Sequence, residues 1–243
     1  MRRLKHQTPN SKRQTPNAKR QTPNAKRQTP KTKRQTSQMD TIFVTGIGTG
    51  IGKTLVSAIL AEALESDYWK PVQAGLAGIT DSDWVKQNIT NTKSIVHPEL
   101  FRLTMAASPH IAARKDRVSI TVDAICKALP STNRTLIIEG AGGLLVPFNE
   151  TEFNTDLIKA LKAKLILVSR NYLGSINHSL LTARVCKNEG LEVVGWIFND
   201  QYLDYENEIV KWSGYPSLGS IPHCESPNKE FVKEQASRMK SLL

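Results

Sequence analysis

From residue 40 onward, short continuous apolar runs alternate with longer stretches whose apolar residues recur every three or four positions. The runs 41–46, 68–73, 135–139, 164–169, 193–198 and 217–221 predict strands. Segments such as Leu136-Ile137-Ile138 and Leu165-Ile166-Leu167-Val168 are apolar at every position, as in parallel strands covered on both faces. Helical periodicity fits 53–65, 82–89, 121–129, 153–162, 175–189, 203–213 and 228–242. Alternating β and α elements predict one α/β domain built on a doubly wound, mostly parallel sheet. Ligands of such a sheet gather at the carboxyl ends of its strands.

Residues 1–38 do not share this pattern. Lys12-Arg13-Gln14-Thr15-Pro16-Asn17-Ala18 recurs as 19–25, with degenerate copies at 5–11, 26–32 and 33–39. A seven-residue period suggests a coiled coil, but the unit has no apolar seam and four of its five copies carry proline. The expectation is a disordered basic tail (1–38) ahead of a phosphate-loop catalytic domain (39–243), with Met39 as the natural initiator and the repeat as translated upstream sequence. A mitochondrial transit peptide fits less well, because the unit lacks an amphipathic face.

The tail changes the meaning of the charge. The chain carries +11 formally, with 33 Lys and Arg against 22 Asp and Glu. Twelve of those basic residues lie in 1–38 with no acidic residue, which leaves 21 against 22 in the remainder. The domain is near neutral, so no specific nucleic-acid partner is expected of it, although the tail could bind polyanions loosely. Cys126, Cys186 and Cys224 are too widely spaced for a metal or disulfide framework. They predict free thiols in a reducing cytoplasm. No apolar run approaches the ~20 residues that cross a bilayer, which predicts a soluble protein with no membrane partner.

The strongest chemical signal is Phe43-Val44-Thr45-Gly46-Ile47-Gly48-Thr49-Gly50-Ile51-Gly52-Lys53-Thr54. It joins a β-branched strand to a helix through alternating glycines. Such a loop turns backbone N–H groups onto phosphate oxygens and adds the partial positive charge of a helix N-terminus. Lys53 would reach the β- and γ-phosphates, and the Thr54 hydroxyl would ligate Mg²⁺. Five residues, rather than four, separate Gly46 from Gly52, so the loop is a variant of the general phosphate-loop pattern, and the dinucleotide pattern fails because Ile51 stands where its third glycine belongs.

Other candidate groups fall at strand ends. Lys70, in Lys70-Pro71-Val72-Gln73-Ala74-Gly75, could hold an anionic substrate or a transferring phosphate, or be a surface lysine after a terminated strand. Asp81-Ser82-Asp83 offers carboxylates for Mg²⁺, or an N-cap supplied by Asp81 or Ser82. Glu139 ends a buried strand before Gly140-Ala141-Gly142-Gly143, and a carboxylate there needs a cation or donors nearby. Ser108-Pro109-His110 and Gly174-Ser175-Ile176-Asn177-His178 each precede helix-like segments, and neither histidine is assigned to catalysis. Asn199-Asp200 and Ile221-Pro222 are positions for contacts to a nucleotide base.

In their order and spacing these motifs resemble dethiobiotin synthetase over nearly all of 40–243. That family shares the five-residue loop spacing. The resemblance implies a homodimeric phosphate-loop enzyme of biotin biosynthesis, a ligase that closes a cyclic urea from 7,8-diaminononanoate, CO2 and ATP with Mg²⁺. Carried over, Lys53, Lys70 and Thr49 are the catalytic set. Gly50, Ile51, Gly52, Lys53, Thr54, Asn199 and Pro222 bind nucleotide, and Thr54, Asp83 and Glu139 hold the metal. Lys70, Ala74, Gly142, Gly174, Ser175 and Asn177 meet the substrate, the last three from the partner subunit. Ala74 departs from the family's Ser or Thr, Gly50 from an acidic residue found in some members, and Asn228 from an acidic nucleotide contact. The rival reading is a DNA-partitioning ATPase. Those proteins carry a signature lysine five residues before the second lysine, where this chain has Gly48.

Overall fold

The computed structural model describes residues 40–200, 203 and 205–240. The expected disordered tail and Met39 lie outside the described residues. In chain order the strands are β1 (Thr41–Gly46), β2 (Asp67–Trp69), β3 (Val72–Ala74), β4 (Val96–His97), β5 (Phe101–Leu103), β6 (Leu136–Glu139), β7 (Lys164–Arg170), β8 (Val193–Asn199) and β9 (Ser217–Ile221). The helices are α1 (Lys53–Leu64), α2 (Asp81–Asn88), α3 (Pro109–Asp116), α4 (Val122–Lys127), α5 (Asn154–Leu161), α6 (Ser175–Asn188), α7 (Tyr205–Ser213) and α8 (Lys229–Met239).

Among the described residues, seven strands form one sheet in the order β4-β2-β6-β1-β7-β8-β9, and every pairing in it is parallel. Successive side chains of a strand leave on opposite faces, so each apolar run feeds two cores. Phe43, Ile138, Leu165, Leu167, Trp196 and Phe198 pack on one face against α3 to α7 through Ala112, Ile125, Leu157, Ala183 and Ile209. Val44, Ile137, Ile166, Val168 and Ile197 pack on the other against Val56, Ile59 and Leu60 of α1, Val85 of α2 and Val232 of α8. α1 is apolar around most of its circumference because it lies between the sheet and α8.

The expected strand 68–73 is two strands in two sheets. β2 stops at Trp69, because Pro71 lacks the N–H that a ladder would need next. The Pro71 carbonyl instead accepts from the N–H groups of Leu100 and Phe101. There the chain enters a separate parallel pair, β3 with β5. Lys70 therefore sits at a break, where its side chain can turn away from the ladder. Pro109 opens α3 at its first turn, where a missing N–H costs nothing. Among the described residues no helix is long and apolar enough to cross a membrane.

Candidate active site

The carboxyl ends of β1, β2 and β6 are neighbours in the sheet, which brings the loop after β1, Lys70 after β2 and Glu139 at the end of β6 to one edge. They line a cleft of about 740 Å³ with Thr49, Gly50, Gly52, Thr54, Ala74, Asp81 and Gly142. The strip Ala106-Ala107-Ser108-Pro109 leading into α3 forms a further wall.

Gly52 caps α1 at φ +89, in the left-handed region that glycine enters without strain. A Cβ there would also lie 2.2 Å from Asn199 Nδ2. That amide donates to the Ile51 carbonyl at 2.5 Å, so the end of β8 braces the loop from behind. Asn199 Oδ1 is buried without a partner. Lys53, 7% exposed, donates to the Gly48 carbonyl at 2.6 Å. Burial, reinforced by the nearby Lys70 charge and only partly offset by Glu139 and Asp81, brings its pKa down to about 8.

Lys70, 5% exposed, is the hub of the cleft. Its ammonium meets Asp81 Oδ2 at 2.6 Å and Glu139 Oε1 at 2.8 Å. Burial opposes the charge of Lys70, but the two carboxylates outweigh it and the pKa rises above that of an ordinary lysine. The same pairing, chiefly with Lys70, holds Asp81 below the usual carboxylate range despite burial. Thr54 Oγ1 lies 3.0 Å from both Asp81 Oδ1 and Glu139 Oε1. The second oxygen of Glu139 accepts from the Tyr68 hydroxyl at 2.9 Å. Burial, then the charges of Glu139 and Asp81, push the Tyr68 phenol well above its ordinary pKa, so it serves as a proton donor in this bond.

The carboxylate that joins Thr54 and Glu139 is thus Asp81, not the expected Asp83. Asp83 occupies the third position of α2, where its Oδ2 accepts from the Thr80 hydroxyl at 2.8 Å and its N–H donates back to Thr80 Oγ1. Thr80 is the N-cap in place of Asp81 or Ser82, so Asp83 closes the cap while Asp81 faces the cleft.

The remaining expected residues divide. Ala74 and Gly142 are in the cleft, and Gly142 sits at φ +61 with Thr49 beside it. Ile51 is buried and lines, with Gly48, Arg170, Asn171, Tyr172 and Asp200, a second hollow of about 330 Å³ toward the ends of β7 and β8. Pro222 is exposed after β9 and lines neither space. Gly174 caps α6 at φ +103, but Gly174, Ser175 and Asn177 are absent from the cleft of their own chain. Asn177 lines a groove with Leu181, Arg184 and Trp212. Asn228 caps α8 by accepting from the Phe231 N–H. Neither histidine is in the cleft: His110 pairs with Ser108 Oγ, and His178 with the Tyr172 hydroxyl.

Two residues had no assignment from sequence, Tyr68 buried behind Glu139 and Gln73 in the cleft wall. Tyr68 read as one more apolar strand residue. Gln73, whose Oε1 is buried without a partner, faces the cleft from β3.

A family model described as an AAA domain matches residues 40–230. The ATP-dependent dethiobiotin synthetase BioD of Cytophaga hutchinsonii is 48% identical over 203 residues, spanning 83% of this chain and 97% of that protein. Its namesake from Christiangramia forsetii is 43% identical over 202 residues, 83% of this chain and 96% of that protein. Among solved structures, the septum site-determining protein MinD of Pyrococcus horikoshii, complexed with Mg-ADP, aligns with a TM-score of 0.50 at 17% identity, covering 84% of this chain and 89% of that one; this is a likeness of fold alone. With the loop spacing, the two lysines and the strand-end carboxylate in place, relatedness at this level makes the chain a member of the dethiobiotin synthetase family.

Proposed function

We propose that this protein is an ATP-dependent dethiobiotin synthetase that closes a cyclic urea from 7,8-diaminononanoate and CO2, acting in the cytoplasm as a homodimer. The observation that carries this reading is the buried Lys70 ammonium, set between Asp81 and Glu139 in the cleft that also receives Lys53 and the phosphate loop.

The reaction joins two anions. One substrate amine adds to CO2 and loses a proton to give a carbamate. A carbamate oxygen attacks the γ-phosphorus of ATP, ADP departs, and the second amine then attacks the carbonyl carbon and expels inorganic phosphate. Phosphoryl transfer of this kind asks for alignment and charge neutralisation more than for a protein nucleophile. Lys53 on the loop side and Lys70 on the facing wall supply two positive charges for the approach of carbamate to triphosphate. Thr49, at the mouth of the loop, assists them, and the bare N–H groups at the start of α1 receive phosphate oxygens. Ala74 and Gly142 border the substrate, Gly50, Ile51, Gly52 and Thr54 serve the nucleotide, and Asn199 serves it indirectly by bracing the loop from behind.

Thr54, Asp81 and Glu139 suit Mg²⁺: all three donors are oxygens, they converge within 3.0 Å of the Thr54 hydroxyl, and Mg²⁺ characteristically takes one or two carboxylates beside substrate phosphates. When bound, the ion supplies charge neutralisation at the β- and γ-phosphates. The homodimer is supported by the start of α6, which is missing from its own cleft and is preceded by Leu173, 76% exposed. A partner's cleft would place these small residues and free N–H groups against the substrate carboxylate. Cytoplasmic residence is supported by the free thiols of Cys126, Cys186 and Cys224.

The test supplies ATP, Mg²⁺, bicarbonate and 7,8-diaminononanoate and follows products by mass spectrometry. The cyclic urea with stoichiometric ADP and phosphate is expected. Absence of that product, with ATP hydrolysis stimulated by DNA instead, would return the chain to the partitioning ATPases.

A further inference from the structure

Tyr68 has a polar task in an apolar place. It lies at the centre of β2, paired in register with Ile137 of β6, and none of its surface reaches solvent. Its ring belongs to the cluster that contains Val56, Ile59 and Val85. Phenylalanine would fill that space without a hydroxyl to desolvate, and burying an unbonded hydroxyl costs free energy. The bond that offsets this cost runs to Glu139 Oε2 at 2.9 Å. Because Tyr68 and Glu139 stand on adjacent hydrogen-bonded strands, the sheet fixes their separation. The consequence is a division of labour on one carboxylate: Oε2 is taken by the phenol, while Oε1 alone faces Thr54 and Lys70.

We propose that Tyr68 is a positioning residue that makes Glu139 a one-oxygen ligand and so sets the preference of this site for Mg²⁺ over Ca²⁺. The proposal rests on the reading of Thr54, Asp81 and Glu139 as the metal-holding set. Mg²⁺ demands a tight octahedron and accepts one oxygen from each carboxylate, whereas Ca²⁺ takes six to eight oxygens and often both from one carboxylate. A carboxylate whose second oxygen is held by a buried donor fits the first ion and frustrates the second. Partners of metal ligands outside the coordination sphere commonly set affinity in this way.

The test compares wild-type protein with Tyr68→Phe, each with a non-hydrolysable ATP analogue. Bound Mn²⁺ is followed by electron paramagnetic resonance as Mg²⁺ or Ca²⁺ displaces it. The variant should lose about tenfold in Mg²⁺ affinity while Ca²⁺ affinity holds or rises, so the Mg²⁺/Ca²⁺ ratio falls at least about tenfold. A folded variant, judged by near-ultraviolet circular dichroism, whose ratio stays within about twofold of wild type overturns the proposal. Should the variant fail to fold, a crystal structure of the wild-type protein with Mn²⁺ and the analogue decides. Oε1 alone on the metal, with Oε2 still on Tyr68, supports the proposal, and both oxygens on the metal refute it. Wild-type protein whose Mn²⁺ binding is indifferent to Thr54→Val would instead remove the metal-site reading on which the proposal stands.

Discussion

Lys53 is held at a cost to stability, and removing it should show how much. The residue is 7% exposed, and its pKa falls from 10.5 to about 8, mainly through burial. That fall makes the charged form about 3 kcal/mol less favourable in the folded protein than in the unfolded chain. Lys53→Met keeps the buried stem, removes the charge and loses the bond to the Gly48 carbonyl, which is worth about 1 kcal/mol. Without nucleotide at pH 7, the variant should therefore be more stable than wild type by about 2 kcal/mol, or roughly 4–8 °C in Tm for a domain of this size. The sign reverses for function. ATP at a hundredfold its Kd should stabilise wild type by about 2.7 kcal/mol and leave the variant unmoved. The pH dependence follows from a lowered folded-state pKa. Below pH 8 the lysine is charged in both states and the cost is complete, and between about 8 and 10.5 the folded protein releases its proton first and the cost fades. The advantage of the variant should shrink across that window. Urea titrations from pH 7 to 10.5, with and without ATP, measure all of this. A variant less stable than wild type at pH 7, or a difference flat with pH, would refute the reasoning.

Lys70→Ala leaves Glu139 and Asp81 without their buried cation, so stability should fall by about 3–5 kcal/mol. Where the variant remains folded, kcat should drop at least about a hundredfold while nucleotide affinity, by isothermal titration, stays within about threefold; equal loss of both would contradict the role given to Lys70. The two carboxylates of α2 separate cleanly. Asp81→Asn should weaken Mg²⁺ binding at least about tenfold with little change in fold. Asp83→Asn should cost about 1 kcal/mol of stability through the Thr80 cap and leave Mg²⁺ binding intact, and the opposite pattern would restore Asp83 as the metal ligand.

The sheet was legible where its strands are buried on both faces: 41–46, 164–169 and 193–198 appear within a residue of β1, β7 and β8, while 217–221 coincides with β9, an edge strand buried only at Ile221. The loop was legible for a related reason, since phosphate binding needs glycine, lysine and threonine at fixed positions. Signals carried by only two or three residues were lost. β4 and β5 are too short for a period to show, and the run 68–73 looks continuous because Tyr68-Trp69 precede the Lys70-Pro71 break and Val72 follows it. The choice between Asp81 and Asp83 depends on which residue caps α2, and spacing alone cannot show that Thr80 already does so. Tyr68 was illegible for the deepest reason. An aromatic residue in a strand reads as core, which it is, and only the facing strand shows that its hydroxyl meets Glu139.

The central claim is that a carbamate, seated between Lys70 and Lys53, takes the γ-phosphoryl group through its own oxygen. The most direct measurement supplies ¹⁸O-labelled bicarbonate with ATP, Mg²⁺ and 7,8-diaminononanoate, before the label exchanges with water, and reads the inorganic phosphate by mass spectrometry. The account predicts one ¹⁸O in each phosphate released, in step with the cyclic urea. Unlabelled phosphate formed alongside the same urea would contradict it, because the ring would then have closed without a phosphorylated carbamate.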